Sequence, residues 1–128
     1  MTAFLNFLAY FGTGLVVLMV YMYAYEKLTP YREWQEIKEG NMAAALAFGG
    51  SMIGFVLPLL SAIFFTHSLV EMVKWGLITG IVQLLTFEIA HRLRGFGDCV
   101  KNRNTAGGMF LALLSIAVGL LNAVSISY

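Results

Sequence analysis

The sequence predicts an all-α membrane protein with four transmembrane helices, and three observations predict it. Of 128 residues, 59% are hydrophobic and only 12% charged, about half the charged share of an ordinary soluble domain. That leaves too little polar surface to coat a water-soluble globule. Four apolar stretches reach the ~20 residues a helix needs to cross a ~30 Å hydrocarbon core. Finally, seven of the eight basic residues fall in two segments between those stretches.

The first span is expected over residues 5–24. No Lys or Arg precedes it, it is longer than a signal-peptide core, and no small-x-small cleavage pattern follows. It therefore reads as a retained helix, with Tyr21, Tyr23 and Tyr25 as an aromatic belt at the interface. The segment from Thr29 to Lys38 reads as a short interfacial helix. Thr29 can cap it, Pro30 suits its first turn and Glu33 suits the positive end of its dipole. Trp34 and Ile37 would share a face on the membrane surface, or dock a peripheral protein.

The second span is expected over 43–66, interrupted by Pro58. That proline leaves the Gly54 carbonyl without its N–H partner, which reads as a kink or as a break lining a site. The third span, over 69–90, opens with Glu71 and Lys74 beside Trp75 and ends with Glu88; its middle, from Trp75 to Phe87, carries no charge. The fourth is expected over 105–125.

Lys27, Arg32 and Lys38 lie between the first two spans, and Arg92, Arg94, Lys101 and Arg103 between the last two. The positive-inside rule makes both loops cytoplasmic and puts both termini outside. Only Lys74 falls on the other side, near the tight turn at His67 and Ser68. A net charge of +1 supplies no field to recruit nucleic acid. The single Cys99 excludes an intramolecular disulfide.

A weak internal repeat aligns the segment Ile37 to Leu46 with Val100 to Met109. Each copy places Lys38 or Lys101, then Asn41 or Asn104, before a run of small residues. The chain then consists of two parallel two-helix repeats about a pseudo-two-fold axis along the membrane normal. The asparagines suit helix caps and the lysines suit anionic headgroups; alternatively, the paired asparagines form a vestibule for an anion or a partner. Ala43, Ala47, Gly50, Gly54 and Ser61 form a small-residue stripe, as do Gly108, Ala112, Ser115, Gly119 and Asn122. Such stripes are how membrane helices pack closely, which puts the second and fourth spans at the centre, within one chain or between chains. Glu88 reads as an i,i+4 partner of Arg92 or as an ion-binding carboxylate. Gln83 lies in line with Gly76, Thr79, Gly80 and Thr86 and suits a helix-to-helix bond.

Thr29-Pro30, Glu33-Trp34, Ile37-Lys38, Asn41, Ala43-Ala44, Ala47-Phe48, Gly50, Gly54 and Pro58 resemble the signature of the domain-of-unknown-function 350 family, the YjfL-like bacterial inner-membrane proteins. The second half agrees through Asn104 to Phe110 and through Asn122-Ala123. Gly95 departs from it, standing where a proline mirroring Pro30 is expected. The resemblance implies a four-helix inner-membrane protein without assigned activity, similar to components of membrane-stress operons.

Two functions follow as expectations. One is a homo-oligomeric membrane component engaging lipid or a peripheral cytoplasmic stress protein through its loops. The other is a small ion or proton pathway around Glu88, Gln83, Asn41 and Asn104. An intramembrane enzyme is not expected and no cofactor is implied: His67 and His91 lie on opposite sides, and no Ser–His or paired-carboxylate spacing occurs inside a span.

Overall fold

The computed structural model describes residues 2–29, 33–93 and 102–126. Among them the chain forms five helices and no strand: α1 (Thr2–Leu28), α2 (Glu33–Lys38), α3 (Met42–Thr66), α4 (Leu69–Leu93) and α5 (Thr105–Ile126). All but α2 are long and apolar enough to cross a membrane. They overrun the expected spans by one to four residues, because hydropathy marks only the hydrocarbon-facing part while helical hydrogen bonding continues into the interface.

The breaks have local causes. Thr29 Oγ1 donates to the Glu26 carbonyl at 3.1 Å and its N–H to the Tyr25 carbonyl at 3.2 Å, which closes α1; the N–H groups it is expected to cap at the start of α2 lie outside the described residues. α2 ends at Gly40, whose φ of +85° suits a residue without Cβ. Between α3 and α4, His67 takes the left-handed conformation and its N–H reaches the Ile63 carbonyl at 3.1 Å, an αL cap. The Ser68 hydroxyl then accepts from the Glu71 N–H, which opens α4.

α1 and α4 run in one direction and α3 and α5 in the other. One end of the bundle therefore gathers the C-terminus of α1, helix α2 and the N-termini of α3 and α5. This is called the loop end, and the end at His67 the turn end. The most extensive contact is between α3 and α5, followed by α3 and α4; α1 lies outside against α4 and α3.

The α3–α5 contact is backbone against backbone. A Cβ added at Gly50 would collide with Ala112, and one at Gly108 would sit 2.6 Å from the Ala43 carbonyl oxygen. A Cβ at Gly54 would strike Ser115 and the Gln83 carboxamide, and one at Gly119 would strike the Gly54 carbonyl. That carbonyl is the one Pro58 deprives of its helical donor, and the Cα of Gly119 is what packs against it. The two small-residue stripes thus meet within one chain.

Two expectations for α1 and α2 are corrected. Tyr21 and Tyr25 are buried and belong to the core, while only Tyr23 of that set is exposed. Tyr21 stacks on Phe55 with centroids 4.3 Å apart. Tyr25 lies 5.1 Å from Phe48 and 4.7 Å from Phe87. The trio buries large apolar area where α1, α3 and α4 converge. Ile37 of α2 packs on this same cluster, and Trp34 meets Phe48 edge-on at 5.6 Å. α2 is therefore seated on the bundle's own end through Ile37, while Trp34 rests an edge on Phe48 and stays 50% exposed.

Candidate functional site

Polar chemistry is concentrated at the loop end. Asn41, almost fully buried, accepts the Ala44 N–H on Oδ1 at 3.2 Å. Asn104, exposed, does the same for Gly107 at 3.1 Å. Each asparagine satisfies an otherwise orphaned donor at a helix start, and the two starts lie side by side because Gly108 abuts Ala43. Arg103 ties the two connections together by donating from Nη1 to the Glu39 carbonyl at 3.4 Å. Lys38 and Gln35 are exposed beside it, Gln35 donating to Glu39 at 3.3 Å. Lys101 lies outside the described residues, as do Pro30, Arg32, Gly95 and Cys99.

The middle of the bundle holds a smaller polar set. Gln83 is buried and donates from Nε2 to the Ser115 carbonyl at 3.1 Å, linking α4 to α5; its Oε1 has no partner. The hydroxyls of Tyr21 and Ser51 share a 2.6 Å hydrogen bond between α1 and α3. Ser61 donates to the Ala123 carbonyl at 2.6 Å, between α3 and α5. The Thr79 hydroxyl bonds back to its own helix at the Trp75 carbonyl. Asn122 is half-buried, with Nδ2 lacking a partner. The Tyr21–Ser51 and Ser61–Ala123 bonds were not read from the sequence. The signal was present, since a serine inside a span needs an acceptor in place of water.

Of the residues of the ion-pathway reading, Asn41 and Asn104 meet at the loop end and Gln83 lies apart from them. Gln83 is level with Ser115 and Gly54, thirteen residues of α3 beyond Asn41, or ~20 Å along the axis. Glu88 is half-buried on α4 and five residues from Gln83, which turns it by roughly 140° around the helix. The side chain of Arg92, its expected partner, lies outside the described residues. At the turn end, Lys74 Nζ is 4.0 Å from Glu71, whose carboxylate accepts from Trp75 Nε1 at 3.1 Å.

This fold and this loop end can be set beside known proteins. The family model described as Domain of Unknown Function (DUF350) matches residues 1–126. The chain belongs to that family. The DUF350 chain is 38% identical over 125 residues to the UPF0719 inner membrane protein YjfL of Escherichia coli (strain K12), covering 97% of this chain and 95% of that protein. It is 30% identical over 122 residues to the UPF0719 transmembrane protein YshE of Bacillus subtilis (strain 168), covering 92% and 90%. No solved structure matches it significantly. The family resemblance read from the first loop and second span is thus correct.

Proposed function

We propose that this DUF350 chain is a non-enzymatic, homo-oligomeric component of the bacterial inner membrane. In this reading it engages lipid headgroups or a peripheral stress protein through its loop end. That end faces the cytoplasm, both termini face the periplasm, and the chain is a pair of parallel two-helix repeats. The observation that carries the reading is where polar chemistry is left over. Inside the bundle, the Tyr21, Ser51, Ser61 and Thr79 hydroxyls and Gln83 Nε2 are engaged in bonds between helices or within one, while Gln83 Oε1 and Asn122 Nδ2 are left over. At the loop end, Gln35, Lys38, Glu39 and Arg103 are exposed on a surface held in place by two helix caps and the docked α2. The inner-membrane location is supported by the similarity to the Escherichia coli inner membrane protein YjfL. The repeat is supported by the matching Asn41 and Asn104 caps and by the shared directions of α1 with α4 and α3 with α5. The link to membrane stress rests on the family resemblance.

The test is a photo-crosslinking side chain placed at Gln35 in growing cells, with exposed Phe64 as the lipid-facing control. Adducts of defined mass should form at Gln35 and disappear in Lys38→Glu and Arg103→Glu. Adducts no more abundant than at Phe64 would overturn the loop-end reading. A proteoliposome ion flux abolished by Glu88→Gln would favour the pathway reading instead.

A further inference from the structure

The outer face of the bundle carries a second feature, apart from the loop end. A slot of about 740 Å³ runs between α1 and α4. Gly12 and Val16 form one wall, Gly80 and Ile81 the other, and Phe55 lies at its floor. Its lining is hydrocarbon except for Thr13 and Tyr21, and the Tyr21 hydroxyl is already bonded to Ser51. A second hollow shares Thr13, Val73 and Leu77 with it and carries it towards the turn end, where Lys74 forms part of the rim.

Depth and charge indicate the occupant. The slot follows α1 from Leu8 to Ala24 and α4 from Val73 to Leu84, rises of ~24 and ~16 Å. The α4 wall is about as deep as half of a ~30 Å hydrocarbon core, the depth one leaflet's acyl chain reaches. Charge supports the same occupant. Lys74 is the only basic residue outside the two loop segments, and it is largely exposed at the mouth. Its 4.0 Å approach to Glu71 and its place 5.8 Å over the Trp75 ring are both solvated and weak.

We infer that the α1–α4 slot is a phospholipid site, with an acyl chain along Gly12, Val16 and Gly80 and the headgroup phosphate at Lys74. Hydrocarbon chemistry fills the slot, and the ammonium at its rim meets the anion at the depth where a headgroup lies.

Gly12 provides a clean test, because a Cβ there meets nothing within 4 Å. Gly12→Leu adds a side chain to the slot from a Cβ position that touches no neighbour. The control is Gly49→Leu, at a second open glycine that does not line the slot. The protein is reconstituted in phosphatidylethanolamine–phosphatidylglycerol vesicles doped with phosphatidylglycerol carrying a diazirine in its acyl chain, photolysed, and the labelled residues are mapped. Labels should concentrate on α1 and α4 along the slot, fall at least about fivefold in Gly12→Leu, and persist in Gly49→Leu. Lys74→Gln should lower slot labelling about threefold or more. Val16→Trp serves as a second filling variant, and circular dichroism checks that each variant is folded. Labelling spread evenly to exposed Phe64 and Leu121, or indifferent to both filling variants, overturns the site. Indifference to Lys74→Gln overturns the phosphate contact. Cysteine crosslinks between copies through the slot would overturn the lipid occupant in favour of a second chain.

Discussion

Gly54 is where the α3–α5 packing is most exposed to test. The perturbation is one methyl group, Gly54→Ala. Its Cβ would strike the Gln83 carboxamide nitrogen and the Ser115 carbonyl oxygen, and would sit 2.8 Å from the Ser115 carbonyl carbon. Ordinary contact begins near 3.4 Å, so two backbones must separate, and neither is the free end of a flexible side chain. Overpacking of this kind costs about 1–3 kcal/mol. Losing the Gln83–Ser115 hydrogen bond adds about 0.6–1.7 kcal/mol on membrane scales. The expected destabilisation is therefore about 2–5 kcal/mol. Gly49→Ala, on the same helix but in open space, should instead gain about 0.5–1 kcal/mol from helix propensity. The assay is reversible unfolding in mixed micelles, followed by far-ultraviolet circular dichroism and by disulfide trapping between α3 and α5. Agreement of the two variants within about 0.5 kcal/mol would refute the claim that these backbones touch. Ile53, 53% exposed, is the lipid-facing comparison on this helix.

Three further outcomes follow from the same geometry. Tyr21→Phe and Ser51→Ala should each cost about 1–2 kcal/mol, and the double variant little more than either, since removing both partners leaves no orphaned group; micelle unfolding reads this, and additivity would exclude the bond. Asn41→Ala should cost about 1–2 kcal/mol and Asn104→Ala about 0.5–1 kcal/mol, the first cap being buried. Asparagine-to-aspartate at either position should restore most of the loss, and equal losses for Ala and Asp would mean that capping is not the role. A cytoplasm-active reporter inserted near Gly95 should give signal and fusions to either terminus none, as the basic-residue bias requires; active terminal fusions would invert the orientation.

What could be read from the sequence divides by the physics of each signal. Hydropathy located four spans to within a few residues because length and apolarity are demanded by the bilayer itself. The Gly50, Gly54, Gly108 and Gly119 stripes pointed to α3 and α5 because close backbone approach needs small residues. They could not say whether the partner was in the same chain, since the chemistry is the same in both cases. Gln83 stood out as an amide in an apolar run. Tyr21 and Tyr25 were read the wrong way round because α1 is apolar on every face, so nothing in its pattern separates a lipid-facing side from a core-facing one. Tyrosine also suits either place, with an apolar ring and a polar tip. The same ambiguity applies to α2, where Ile37 packs on the bundle while Trp34 stays half exposed.

The correction at Tyr25 changes how the candidate site must be understood. Tyr25, Phe48 and Phe87 come from α1, α3 and α4, and Ile37 of α2 rests on their cluster. The exposed side chains of α2 are therefore positioned by packing inside the membrane-spanning helices rather than by the connection itself. α1 is held firmly at this half, through Tyr21 and Tyr25. Its other half presents Phe4, Phe7, Leu8 and Phe11 outwards. Cohesion is graded along the molecule, greatest where α3 and α5 meet backbone to backbone and least along the turn-end half of α1. The loop-end surface sits over the well-packed region, as a surface that must keep one shape requires. The slot proposed for lipid runs along α1 from the firmly held Tyr21 and Ala24 to Leu8 in the loosely held half, where an acyl chain can supply contacts that the protein's own side chains do not.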